Sequence, residues 1–213
     1  MSLVLCDVTP NQIIFLADSA HPTEGKKPED CPNDATKVLL TPNRRIGLGI
    51  AGVLNFRWNN NFLQPEKWID DFLQRAAPDD VSSPAKLAQA LKRSIELLRN
   101  IPYNGDGRIM IAGFTNALPE FHEIQLQSKS RTDTDLVATV SQPDQFPRVL
   151  GITCSWEELV SRSGQKGKPI PEQATERFRH LKNIMERSVV DFRSNGELQV
   201  ASPINGFCIN KTP

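Results

Sequence analysis

A serine, Ser2, stands directly behind Met1, and an aspartate, Asp18, closes the second of two short apolar runs, SLVLCDV and IIFLADS. The runs flank Thr9-Pro10-Asn11-Gln12 and read as a β-hairpin. Aspartate is depleted from strands, so a hairpin that begins on a hydroxyl and ends on a carboxylate asks for a chemical reason. A serine hydroxyl is a poor nucleophile unless a base takes its proton. Histidine offers little here: His21, His122 and His180 are far apart, which leaves a Ser-His-Asp triad or a histidine-based metal site nothing to build on. Cys6, Cys31, Cys154 and Cys208 form no CxxC pair, so no zinc site is expected. There is no Walker loop and no GxGxxG. No metal or cofactor is expected.

The elements that must position these groups are legible from patterning. The 213 residues suit one domain, residues 1–213, and 38% hydrophobic with 23% charged residues fits a globular chain. Lys+Arg and Asp+Glu are 25 each, which argues against a nucleic-acid groove binder. No signal peptide and no run of membrane-spanning length is seen, so a cytoplasmic protein without membrane contact is expected. Strands are predicted over 3–8, 13–18, 36–41 and 46–52, with a polar loop, HPTEGKKPEDCPND, between the second and third. Helices are predicted from Pro65, with Trp68, Phe72 and Ala76 on one face, and from Ser83 as N-cap, with a stripe of Leu87, Leu91, Ile95 and Leu98. Strands return at 108–114, 121–126 and 136–140, with a turn at Asn116 to Pro119. Helices follow at 155–162 and 171–192, and ELQVASPINGFCI closes the chain as strand. Helices grouped in blocks argue against a doubly wound parallel sheet and for antiparallel sheets with helices outside.

Six short motifs, in order, resemble a proteasome β-type subunit of the N-terminal-nucleophile (Ntn) hydrolase family. They are Ser2, Ala17-Asp18-Ser19, Lys37 in ATKVLL, Ala51-Gly52 in GIAGVLN, the hairpin RIMIAGF to FHEIQL, and Asp191-x-x-Ser194 in VVDFRSN. RSN followed by VASPINGFCI is most similar to the bacterial proteasome-like group called Anbu. The resemblance covers nearly the whole chain. The absence of a long extension before the first strand fits the α-type subunit poorly. Singly, each residue has an ordinary reading: a common second residue, an Asx turn, an edge lysine, a bend, a helix end.

The resemblance implies a fold and a site. The fold is α+β, a four-layer αββα sandwich of two stacked antiparallel sheets with helices outside. With Met1 removed, which a small second residue permits, Ser2 would be the nucleophile and its own α-amine the base. The reference pKa of such an amine, about 7.7–8.0, lets much of it be neutral near physiological pH. Lys37 would keep positive potential on the site, Asp18 would pair with it, and the Gly52 N–H would face the oxyanion. Asp191 and Ser194 would hold the amine and its water. Ala20, Ala35 and Ile50 would line an uncharged pocket for the residue before the cut, favouring apolar side chains.

The sequence departs from the family at three places. Serine replaces threonine, Ala20 stands where arginine is usual, and VLGITCS gives Gly151-Ile152, with Thr153 or Ser155, where Gly-Ser is usual. The leading expectation is a peptidase subunit in a self-assembled homo-oligomeric ring, acting on peptide or unfolded protein, with any ATPase partner unspecified. A non-catalytic structural subunit and an Ntn amidase acting on a small-molecule amide stay open.

Overall fold

The computed structural model describes residues 3–19, 36–52, 56–58, 61–100, 107–128, 136–151, 155–195 and 203–211. In chain order the strands are β1 (Leu3–Val8), β2 (Gln12–Asp18), β3 (Val38–Leu40), β4 (Ile46–Gly52), β5 (Phe56–Trp58) and β6 (Asn61–Leu63). Helices α1 (Pro65–Arg75) and α2 (Pro84–Ile95) follow, then β7 (Arg99–Asn100), β8 (Gly107–Thr115), β9 (Leu118–Ser128), β10 (Leu136–Ser141) and β11 (Arg148–Gly151). Helices α3 (Trp156–Arg162) and α4 (Ala174–Ser194) precede β12 (Ile204–Asn210).

The opening hairpin forms as its pattern predicts. β1 and β2 pair from Val4↔Ala17 to Val8↔Ile13, and the Thr9 hydroxyl donates to the Gln12 carbonyl across the turn (2.9 Å). The hairpin is the centre of a sheet ordered β11-β1-β2-β12. The second sheet runs β10-β9-β8-β4-β3, and a small third one β6-β5-β7. Every ladder among the described residues is antiparallel. The β8–β9 turn sets both Asn116 and Ala117 at positive φ (50° and 61°), a left-handed pair that matches the twist of a tight hairpin.

Strand alternation explains the layers. Leu3, Leu5, Ile14 and Leu16 pack with Leu181, Met185, Val189 and Phe192 of α4 and Leu159 of α3. Their neighbours Val4, Cys6, Ile13 and Phe15 face the other way and join Ala51, Met110 and Ala112 of the second sheet. The far face of that sheet, including Leu48, Ile50, Ile109, Ile111 and Ile124, is covered by α1 and α2. The result is the expected α+β layout: two stacked antiparallel sheets and four helices among the described residues. Both faces of β1 and β2 are buried, which is why these strands read as continuous apolar runs.

Four details differ from the sequence expectation. The buried face of α1 is Pro65, Ile69 and Leu73. Trp68 and Phe72 sit half-buried beside it, stacked at 5.9 Å, and Ala76 lies past the helix end as its C-cap. The apolar stripe of a surface helix is broad enough to hold two adjacent rows, and the more enclosed row wins the core. Helix α2 stops at Ile95, because Arg99 and Asn100 pair with β5. Helix α4 begins at Ala174 rather than 171. β5, β6, β7 and β11 were not anticipated; they are two to four residues long, too short for a periodic signal.

The run IGLGIAG is explained by sheet stacking. A Cβ on Gly47 would lie 2.6 Å from the Phe15 ring and 2.7 Å from Phe207. Gly47→Ala is therefore expected to destabilise the fold by about 1–3 kcal/mol, the usual cost of overpacking. Urea denaturation would register this as a lowered midpoint with unchanged slope.

Candidate functional site

The first described amide of the chain is hydrogen-bonded to a buried carboxylate. Leu3 N–H donates to Asp18 Oδ1 (2.6 Å). The other oxygen, Oδ2, accepts from Lys37 Nζ at 2.8 Å. Both side chains are almost fully enclosed, Lys37 at 2% and Asp18 at 1% exposure. The Lys37 carbonyl accepts from Ile50 N–H (2.8 Å), two residues before β4 ends on Gly52. The start of β1, the end of β2, the lead into β3 and the end of β4 thus meet at one place. Ser19 secures the same corner, its hydroxyl donating to the Pro203 carbonyl (3.2 Å) just ahead of β12.

Local sequence accounts for each position. Asp18 ends β2 opposite Ile204. Lys37 precedes β3, whose first ladder partner is Gly49, so its side chain is free to reach across to the other sheet. Gly52 is exposed and adopts φ 102°, a backbone conformation that L-residues other than glycine rarely take. A cavity of about 330 Å³ adjoins the pair, lined by Asp18, Thr36, Lys37 and Val38 on one side and by Asn205 and Phe207 of β12 on the other.

Among the expected site residues, Ile50 and Asp191 have other neighbours. Ile50 is buried among the residues under α1 and α2 and does not line the cavity at Lys37. Strand alternation sends it to the face opposite Ala51, and helix packing there closes the space around it. The Asp191 carboxylate is held by Arg162 Nη1 (3.0 Å) and by Asn195 Nδ2 (3.3 Å), so it ties α3 to α4. Arg162 also lies over the Phe192 ring at 4.2 Å and pairs with Glu158 (2.9 Å). Ser155 caps α3, accepting from Glu158 N–H (3.3 Å). Ser2, Ala20 and Ala35 lie outside the described residues, as do Cys31 and Cys154. Ser194 is the last residue of α4.

Other titratable groups separate cleanly from this corner. Cys6 is fully buried between the sheets; burial first, then the Asp7 charge, pushes its thiol well above the ordinary value. The same causes raise Cys208. Both are free, and such thiols are poor nucleophiles. Asp7 is fully buried and held by the Arg177 guanidinium, which locks β1 to α4. No group of histidine, cysteine or acidic side chains among the described residues could hold a metal ion. None of the described helices is long and apolar enough to cross a membrane.

A second polar network braces α2. Glu120 accepts from the Thr115 hydroxyl (2.7 Å) and lies 2.6 Å from His122 Nε2. Burial works to raise the Glu120 carboxyl, but these hydrogen bonds, the His122 charge and the Ala85 N–H at the start of α2 outweigh it and hold the carboxyl below its usual value. A depressed folded-state value means the stabilisation is complete above the unfolded carboxylate range of about 4.3 and is lost as pH falls through the folded value. Glu120→Gln is thus expected to cost about 1–2 kcal/mol at neutral pH and progressively less in acid. Denaturation curves at neutral and acid pH test this; an equal loss at both would contradict it.

A scan of the chain against known protein-family models gives no match, and comparison with curated proteins finds no similar sequence. The reading of the site rests on its residues. The signal missed at the sequence level is the Leu3 amide as a ligand of Asp18, since a backbone donor leaves no mark in a sequence. Glu123, a buried carboxylate between two arginines on the inter-sheet face, was also missed.

Proposed function

We propose that this chain is an N-terminal-nucleophile hydrolase of the proteasome β type, cutting peptide bonds through Ser2 after removal of Met1, inside a homo-oligomeric ring. The observation that carries the reading is the buried Lys37–Asp18 pair with the Leu3 amide on the same carboxylate. Burying two charges is expensive, and an apolar pair of similar volume is often as stable or more so. Structural need alone does not account for a lysine here. Leu3 N is bonded to the Ser2 carbonyl carbon, so the carboxylate that holds Lys37 acts one residue from the nucleophile.

In this mechanism the Ser2 α-amine takes the hydroxyl proton as Oγ attacks the scissile carbonyl. The Lys37 ammonium favours the charge developing on the oxygen. Gly52 N–H donates to the oxyanion, a role worth about 2.7–4 kcal/mol. The C–N bond breaks, the proton passes to the leaving amine, and the acyl group on Ser2 Oγ is released by water. Asp191, engaged by Arg162, takes no step.

A β-lactone acylating agent and intact-mass analysis test the proposal. The expected product lacks Met1 and carries one acyl group on the N-terminal serine, with peptide hydrolysis lost in proportion. Retained Met1 with no hydrolysis would replace this reading by a non-catalytic assembly subunit. Turnover of small amides by a monomer, without peptide cleavage, would replace it by an amidase.

A further inference from the structure

One buried carboxylate faces the space between the sheets from β9. Glu123 on β9 lies opposite Met110, a residue of the inter-sheet core. It accepts from Arg148 Nε at 2.8 Å and from Arg108 Nη1 at 3.4 Å. Arg148 comes from β11 of the other sheet, opposite Cys6, and its side chain is 31% exposed. Arg108 comes from β8, opposite Ala51 and next to the Gly52↔Gly107 pair. Strand alternation puts Arg108 on the same face as Met110 and Ala112, towards the space between the sheets. Its side chain is 39% exposed, whereas Glu123 is 4% exposed.

The charge balance of this group is uneven. Two guanidiniums share one carboxylate, which leaves a net positive charge, and the shorter contact belongs to Arg148. Lys37 and Asp18 pair with each other at 2.8 Å. Among the described residues around Glu123, Arg108 is the cation with the longer contact, one strand spacing (about 5 Å) from the end of β4. Glu123, itself held by Arg148, accepts from Arg108. An arginine fork held in place and half open to solvent suits a carboxylate, which it binds through two parallel hydrogen bonds.

We infer that Arg108 is a substrate-binding residue that takes a carboxylate of the peptide beside Gly52, supplied by a free C-terminus or an acidic side chain. The inference rests on the peptidase reading and extends it to a preference for an anionic group away from the residue that precedes the cut.

The test uses the full chain carrying Ser2→Ala and calorimetric titration with three otherwise identical peptides. One ends in a free carboxylate, one in a carboxamide, and one in a carboxamide with Glu replacing an internal Gln. At least one anionic peptide is expected to bind about tenfold or more tightly than the neutral one, and which one identifies the source of the carboxylate. Arg108→Gln should reduce that advantage to less than twofold. The fold should survive because Glu123 keeps Arg148. Arg108→Lys should restore part of the advantage, as a point charge without the fork. Equal binding of all three peptides, no binding of any, or an advantage that survives Arg108→Gln would overturn the inference. Hydrolysis of the neutral peptide by the chain with Ser2 intact is measured alongside. Hydrolysis without carboxylate preference overturns this inference alone. An Arg108-dependent preference without hydrolysis overturns the peptidase reading alone.

Discussion

Asp18→Ala is expected to lower stability by about 3–5 kcal/mol, the range found when one member of a buried ion pair is removed. The loss has two parts. Lys37, at 2% exposure, would keep a charge with its partner gone, and the Leu3 N–H, now 2.6 Å from Asp18 Oδ1, would lose its acceptor. Asp18→Asn separates them, since an amide oxygen still accepts from Leu3 while the charge is removed; its cost should be intermediate. Joining Asp18→Asn to Lys37→Met removes both charges and should recover much of the loss, because a neutral pair has no uncompensated ion to bury. Chemical denaturation of the three variants gives the ordering directly. A loss below about 1 kcal/mol for Asp18→Ala would match a solvated surface pair and would show that water reaches this corner.

How much of this was legible depended on the kind of signal each element carries. β1, β2, β4 and β8 were legible because each is a run of mostly apolar residues bounded by turn chemistry, and β9 because its apolar and polar residues alternate. α2 was legible because Ser83, Pro84 and the Leu87–Leu91–Ile95 stripe agree. Its end was not, since Arg99 and Asn100 leave the helix for a ladder with β5 that only tertiary structure supplies. Asp18, Lys37 and Gly52 were named through the resemblance, since singly each has an ordinary reading; the structure adds the 2.8 Å contact of Lys37 with Asp18 and the φ of 102° at Gly52. Asp191 was harder. Its spacing to Ser194 was visible, but its arginine partner comes from Arg162, 29 residues earlier, and no local pattern announces a contact between helices. Ile50 shows the same limit from the other side, because alternation sets its face while helix packing decides whether that face holds a pocket. Glu123 reads in sequence as one polar position of an alternating strand; only the second sheet, stacked above it with Arg148, makes it a buried anion.

Ser2→Ala is expected to reduce peptide hydrolysis by roughly 10⁴-fold or more, the scale seen when a nucleophile acting within a catalytic unit is removed. The proposal makes a sharper demand than loss of activity. Ser2 and Lys37 act on one oxygen, so they should behave as a unit. Lys37→Met alone should cost nearly as much, and combining it with Ser2→Ala should cost little more than either, because groups that act together are strongly non-additive. Ser2→Thr should keep measurable turnover, since it preserves both the hydroxyl and the α-amine. Lys37→Arg should not rescue Lys37→Met, because a planar guanidinium does not fit the enclosed space 2.8 Å from Asp18 Oδ2 as a compact ammonium does. Rates are to be compared only among variants shown to be folded, which Lys37→Met must establish because it leaves Asp18 without its cation. Two losses that multiply would place Ser2 and Lys37 in separate roles, and the carboxylate that joins Lys37 to the Leu3 amide would then be a device of the fold rather than of the chemistry.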